Sequence, residues 1–183
     1  MSVTAPRESS EFWPLRLVLR RKRIERGLWE VDHWSVESIE SDRGQQRREL
    51  LMEPQPPSAD TPADCQDYLC SGLGLELFRD ERAAYRFNLS AAEPRLFVIC
   101  AADDEEEGAE AALMRPYLIS ASQDAASSYM DGGDEDVFSL PMPSALQCWI
   151  EAFIVQHGEP DLGLSKGKRR RYRGGRKVEA LDE

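Results

Sequence analysis

Apolar residues recur at every second position along much of the first 140 residues, and that period of two commits most of the chain to β-structure. Leu15, Leu17 and Leu19 share one face of a first strand. Trp29–Ile39 is rich in Trp, Val and Ile and suits a second, with the alternation interrupted near His33 and Trp34, where a β-bulge is expected. Arg48–Met52 reads as a short third strand. Leu69, Ser71, Leu73, Leu75 and Leu77 alternate, as do Tyr85, Phe87 and Leu89; the polar turn Arg79–Arg82 between them predicts a hairpin. Arg95–Ala101 is β-branched and aromatic and fits a central strand, with Arg115–Ala121 and Asp136–Leu140 beyond it. Strands joined by short turns imply an α+β fold with a mainly antiparallel sheet of about six to eight strands, strongly curved or nearly closed.

Two helices follow, and both are expected to pack on the sheet. Ser122 is placed to cap the first, with Asp124 in its first turn and Gly132–Gly133 at its end. For the second, Ser144 and Gln147 have the spacing of a capping box, preceded by Pro143. Leu146, Trp149, Ile150, Phe153 and Ile154 then repeat at i, i+3, i+4, i+7 and i+8, and Gly158 supplies the stop. The predicted helix is 145–157.

A chain of 183 residues is of single-domain size. Hydrophobic and charged fractions of 41% and 31% suit a soluble globular protein. The predicted organisation is a disordered N-terminus over 1–11, one globular domain over 12–157, and a flexible basic tail over 158–183. Two soft loops interrupt the domain, a proline-rich one at 53–64 and an acidic one at 101–112. Neither a signal core nor a run of roughly 20 apolar residues is present, so a cytoplasmic location is expected. There Cys65, Cys70, Cys100 and Cys148 would be thiols.

Catalytic patterns are thin. His33 and His157 have no Ser or Cys nucleophile at a recognisable spacing. Cys65 and Cys70 have four residues between them and no second pair, which is weak as a zinc site. Gly72 and Gly74 lack the rest of a phosphate loop. The acidic run Asp103–Glu107 offers carboxylates without a fixed cage and reads as a solvated loop, and the group Asp131, Asp134, Glu135 and Asp136 misses the spacing of a calcium loop. No catalytic residue, metal ligand or cofactor is assigned, and the reading leans away from an enzyme. Two basic clusters stand out instead. Arg20, Arg21, Lys22, Arg23 and Arg26 precede Trp29, Asp32 and Trp34, a combination able to stack against a ligand or a partner. Residues 166–177 carry eight cations and no acid, on a chain whose net charge is −11. That run includes Lys168, Arg169, Arg170 and Arg171 and suits an acidic or phosphate-bearing partner.

Three stretches carry a family resemblance: PLRLVLRRKRIERGLWEVDHWSVESI, AYRFNLSAAEPRLFVIC, and SASQDAASSYMDGGDEDVFSLPMPSALQCWIEAFIVQHG with the KGKRRR after it. In them the chain resembles an uncharacterised bacterial domain-of-unknown-function family, number 3305, over about residues 13–171. Its genes tend to lie beside those of formate dehydrogenase and other molybdenum enzymes. The resemblance implies a non-enzymatic accessory or interaction protein supporting assembly or cofactor supply of a molybdenum-dependent formate dehydrogenase. Its expected partners are that enzyme or its maturation machinery, without membrane insertion. Candidate contact residues are Arg20, Arg21, Arg23, Trp29, Trp34, Arg86, Asn88 and Lys168–Arg171, with Arg86 and Asn88 on the strand face opposite Tyr85 and Phe87. Some family members are labelled molybdopterin-guanine dinucleotide biosynthesis proteins. That nucleotidyltransferase reading is an alternative, although the chain has neither a Gly-rich nucleotide loop nor a βα alternation. Nucleic-acid binding through the tail is another.

Overall fold

Leu15, Leu17 and Leu19 are buried on one face of a long first strand, β1 (Ser9–Arg26), as their alternation predicts. The computed structural model describes residues 9–42, 49–103 and 113–160. After β1 come β2 (Trp29–Ser41), β3 (Leu51–Pro54) and β4 (Cys65–Phe78). A 3-10 turn at Arg79–Glu81 leads into α1 (Arg82–Leu89), followed by β5 (Arg95–Asp103) and β6 (Leu113–Ser120). The chain continues through α2 (Gln123–Gly132), β7 (Glu135–Pro141) and α3 (Ser144–His157).

The seven strands form one sheet, six of them in the order β2-β1-β4-β6-β5-β7, with β3 paired to β4 off this path. All pairings are antiparallel except β4 with β6. β1 runs along one edge of β4, while β3 and β6 share the other. The end strands β2 and β7 come into contact, so the sheet curls nearly into a barrel. Its interior is filled by the β1 leucines, Leu73, Leu75 and Leu77 of β4, and Leu96, Val98 and Cys100 of β5. Into this core α3 lowers Leu146, Ile150, Phe153 and Ile154, the predicted apolar stripe. Trp149 sits at its margin, its indole donating to Glu11 Oε2 at 2.6 Å and its ring 5.2 Å from that of Trp13.

The register shifts at several places among the described strands, two of them beside the core leucines of β1. Val18 pairs with Ser38 and Leu19 with Val36, which leaves Glu37 as the extra residue. The break expected at His33–Trp34 therefore falls a turn of the pleat later. In β4 an extra residue lies near Ser71–Gly72, since Leu15 pairs with Leu73 and Leu17 with Cys70. This shifts the phase of β4, so Cys70 is buried and Leu69 only half-buried. Gly72 has φ +87°, and a Cβ there would lie 1.9 Å from the Glu49 carbonyl oxygen, so both conformation and space require glycine.

Tyr85–Leu89 is not a strand, and no hairpin joins it to β4. The segment RAAYRFNL is α1, rich in good helix formers. Tyr85 and Asn88, three residues apart, face inward, while Phe87 is 64% exposed. The Tyr85 hydroxyl accepts from the Phe78 N–H at 3.1 Å and donates to Glu81, which fixes the turn out of β4. The expected capping box of α3 is also absent. The helix starts at Ser144, after Pro143, and Gln147 donates to the Met142 carbonyl at 2.8 Å instead. By contrast α2 follows its signals: Ser122 Oγ accepts from the Ala125 N–H, and Gly133 ends it at φ 79°. β1 starts at Ser9, β5 runs to Asp103, and Glu159 is held by an ion pair described below. The rest of the acidic insert and of the tail lies outside the described residues.

Candidate functional site

The first basic cluster sits on the β1–β2 hairpin, where alternation sorts its arginines onto two faces. Arg20 points to the outer face, opposite Asp67 of β4. Its Nε and Nη2 donate to Asp67 Oδ1 and Oδ2 at 2.7 and 2.8 Å, and its Nη1 donates to Glu37 at 2.9 Å. Asp67 also accepts from Thr61 at 2.9 Å, which pins the proline-rich loop to the sheet. The Arg20 hydrogen bond, reinforced by Thr61, holds the Asp67 carboxyl below its ordinary pKa, and the same bond raises that of Arg20. Every guanidinium nitrogen of Arg20 is thus engaged within the chain. Sequence reading placed Arg20 among the contact residues; the structure makes it the staple of a loop.

Arg21 and Arg23 lie on the inner face with Trp34 and Asp32. Asp32 stands 4.0 Å from Arg21 and 3.9 Å from Arg23, which is also 3.5 Å from Glu30. Trp34 is buried, with its ring 5.7 Å from that of Tyr68, so it closes the end of the core. Trp29 shares the hairpin but not this role. It is 77% exposed, directly across from Arg26. The two spaced tryptophans of the motif therefore do different jobs.

Arg86 and Asn88 are not neighbours on a strand face. Arg86 reaches from α1 to Glu151 at 2.8 Å and Glu159 at 2.5 Å, clamping α1 to the end of α3. Burial works against its charge, but the hydrogen bonds to the two glutamates outweigh it and hold its pKa above the usual value. One turn earlier, Arg82 donates to the His157 and Gly158 carbonyls and so caps the C-terminus of α3. Asn88 is buried, and its amide donates to the Arg95 and Ala121 carbonyls at 2.7 and 2.8 Å while accepting the Arg95 N–H at 2.9 Å. Both residues are internal fasteners. Lys168, Arg169, Arg170 and Arg171 lie outside the described residues.

The remaining perturbed groups are structural as well. Burial in the core pushes the Cys70 and Cys100 thiols up to about 12, far from thiolate reactivity. Burial also raises Tyr85, and burial with Glu135 nearby takes Tyr117 to about 12. Among the described residues no group of three His, Cys, Asp or Glu is arranged to hold a metal ion. Nor is any described helix long and apolar enough to cross a membrane.

The three stretches that carry the resemblance thus build β1, β2, α1, β5, α2, β7 and α3. A family model described as a protein of unknown function (DUF3305) matches residues 14–170. The chain belongs to the DUF3305 family. The DUF3305 match begins at Pro14, within β1, takes in the rest of the described helices and strands, and ends at Arg170 within the basic run. No curated protein and no solved structure matches the chain.

What sequence reading missed in this DUF3305 domain is the hairpin tip. Leu28 is fully exposed and Val31 is 48% exposed beside Trp29. Next to them, a hollow of about 490 Å³ is lined by Lys22, Arg23, Ile24, Glu25 and Asp64. A smaller depression of about 220 Å³ lies on the outer face between Arg16, Val18, Ser38, Glu40 and Leu69. The available signal was the dipeptide Gly27–Leu28 between two strands, which marks a two-residue turn and hence a projecting tip.

Proposed function

We propose that this chain is a non-enzymatic accessory protein that works by docking, and that its client is the molybdenum-dependent formate dehydrogenase implied by the gene neighbourhood of its family. The observation that carries the docking reading is the exposed Leu28–Trp29–Val31 group at the end of the β1–β2 hairpin. The perturbed groups support it, because each is explained by an internal bond or by burial. The test is capture of formate dehydrogenase subunits from a native-host extract on the immobilised full chain, with and without residues 161–183. Recovery by the full chain is the expected result, and recovery by neither form overturns the client assignment.

A second reading follows from the eight cations in residues 166–177, six net positive charges of which fall close together in Lys166–Arg173. It is a nucleic-acid contact made by the tail. Affinity that rises steeply as salt falls and disappears when 166–177 are removed is its signature, since phosphate contacts release counterions. The nucleotidyltransferase alternative predicts turnover on mixing the protein with molybdopterin and GTP.

A further inference from the structure

The β1–β2 hairpin outruns the sheet that supports it. Pairing of β1 with β4 ends at Lys22 and Cys65, with one further bond from the Arg23 N–H to the Asp64 carbonyl. Pairing with β2 continues to Arg26 and Trp29. At about 3.3 Å per residue, the four residues past Lys22 carry the tip roughly 13 Å beyond the last β4 partner. The turn itself is Gly27–Leu28. Gly27 has φ +65° and Leu28 a negative φ, the pattern of a type II′ turn, which matches the twist of the two strands.

Large exposed apolar side chains scattered singly are ordinary on a protein surface. Here three of the eight among the described residues, Leu28, Trp29 and Val31, fall within four positions at one turn. Val31 faces half-buried Ile24 across the ladder, and Trp29 faces Arg26. Of the cations around them, one is left without a pair by the fold. Lys22 is 3.5 Å from Asp64 and Arg23 is 3.5 Å from Glu30, whereas Arg26 makes no ion pair among the described residues. Trp and Arg are the residues most enriched at the energetic centres of protein interfaces. The ladder and turn hold them in place before binding, which lowers the ordering cost of association.

We infer that the Gly27–Leu28 turn is a docking prong, and that Leu28 and Trp29 seat in an apolar pocket of a protein partner whose rim carries a carboxylate for Arg26. This deepens the accessory reading above and rests on it for the identity of the partner. The prong fits a protein better than an anionic lipid surface because Glu25 and Glu30 flank the tip and the chain as a whole has a net charge of −11. A second copy fits poorly, since two tips laid together would set Arg26 against Arg26.

The test titrates the full chain against purified formate dehydrogenase holoenzyme. The variants are Leu28→Ser with Trp29→Ala, and separately Arg26→Glu. Wild-type binding is expected, with the double variant roughly tenfold to hundredfold weaker and its melting temperature unchanged, the usual scale for truncating anchor residues. Arg26→Glu is expected to weaken binding most at low salt. Equal binding by wild type and double variant overturns the prong and leaves the client standing. No binding by wild type overturns both. Two further measurements decide against the protein pocket if positive. One is binding to vesicles of phosphatidylcholine and phosphatidylglycerol that requires Trp29. The other is dimerisation in sedimentation velocity that the double variant abolishes.

Discussion

Replacing Asn88 by alanine separates the two roles that this residue has been given. Its amide makes three hydrogen bonds, at 2.7, 2.8 and 2.9 Å, that tie the end of α1 to the start of β5 and to Ala121 after β6. Asn88 is only 5% exposed, so water does not replace those bonds when the side chain is cut back. Each bond contributes about 1 kcal/mol net, and the Arg95 N–H and Ala121 carbonyl are left unpaired in a nearly dry site, for a loss of about 3 kcal/mol. For a domain of this size that corresponds to a drop of roughly 6–12 °C in melting temperature. Thermal and urea unfolding followed by circular dichroism measure it directly. Phe87→Ala, one residue away and 64% exposed, is the control and should move stability by no more than about 0.5 kcal/mol. An Asn88→Ala protein as stable as the control would refute the fastener, and lost partner binding at unchanged stability would restore Asn88 as a contact residue.

The other predictions test the elements that hold the fold around the hairpin. Asp67→Asn should cost roughly 2–3 kcal/mol at neutral pH through the lost charge-assisted bonds to Arg20. Because folding depresses the Asp67 pKa, that contribution is fully present above the unfolded value near 3.9 and disappears as pH falls through the lower folded value. The wild-type advantage in acid unfolding should therefore shrink below about pH 4, and an advantage that stays constant there would contradict the pairing. Gly72→Ala should destabilise by at least about 2 kcal/mol in urea titrations, because the new Cβ meets the Glu49 backbone at a positive φ. Iodoacetamide at pH 8 should label exposed Cys148 in the native protein and spare Cys70 and Cys100 until unfolding, as peptide mapping would show. Trp149→Ala should cost about 2–4 kcal/mol in thermal melts, and Trp149→Phe less, with the residual loss reporting the indole bond to Glu11.

Where burial alone decides structure, the sequence was a good guide. The leucines of β1, the stripe of α3 and the cap and stop of α2 were legible because each depends on residues a few positions apart. Most of the misread segments depend on partners that periodicity does not encode. Tyr85, Phe87 and Leu89 alternate as a strand would, yet the chain coils there because Arg82 and Arg86 meet the end of α3, more than sixty residues on. The Ser144–Gln147 spacing is right for a capping box, but the Met142 carbonyl takes the glutamine amide first. In β4 the phase slips at Gly72 because of a backbone contact with Glu49 that no periodicity encodes.

The candidate site was harder to read for an electrostatic reason. The chain has 34 acidic and 23 basic side chains, so carboxylates outnumber the cations that could pair with them. Arg20 finds Asp67 at a separation of 47 residues and Arg86 finds Glu159 at 73. A run of arginines in the sequence therefore says little about charge available to a partner. What distinguishes an available cation is that no carboxylate of the described fold pairs with it. By that criterion Arg26 joins the candidates, at the turn where Leu28 and Trp29 also escape burial. Docking strength in this fold should then follow how far a residue projects from the sheet rather than how basic its neighbourhood is.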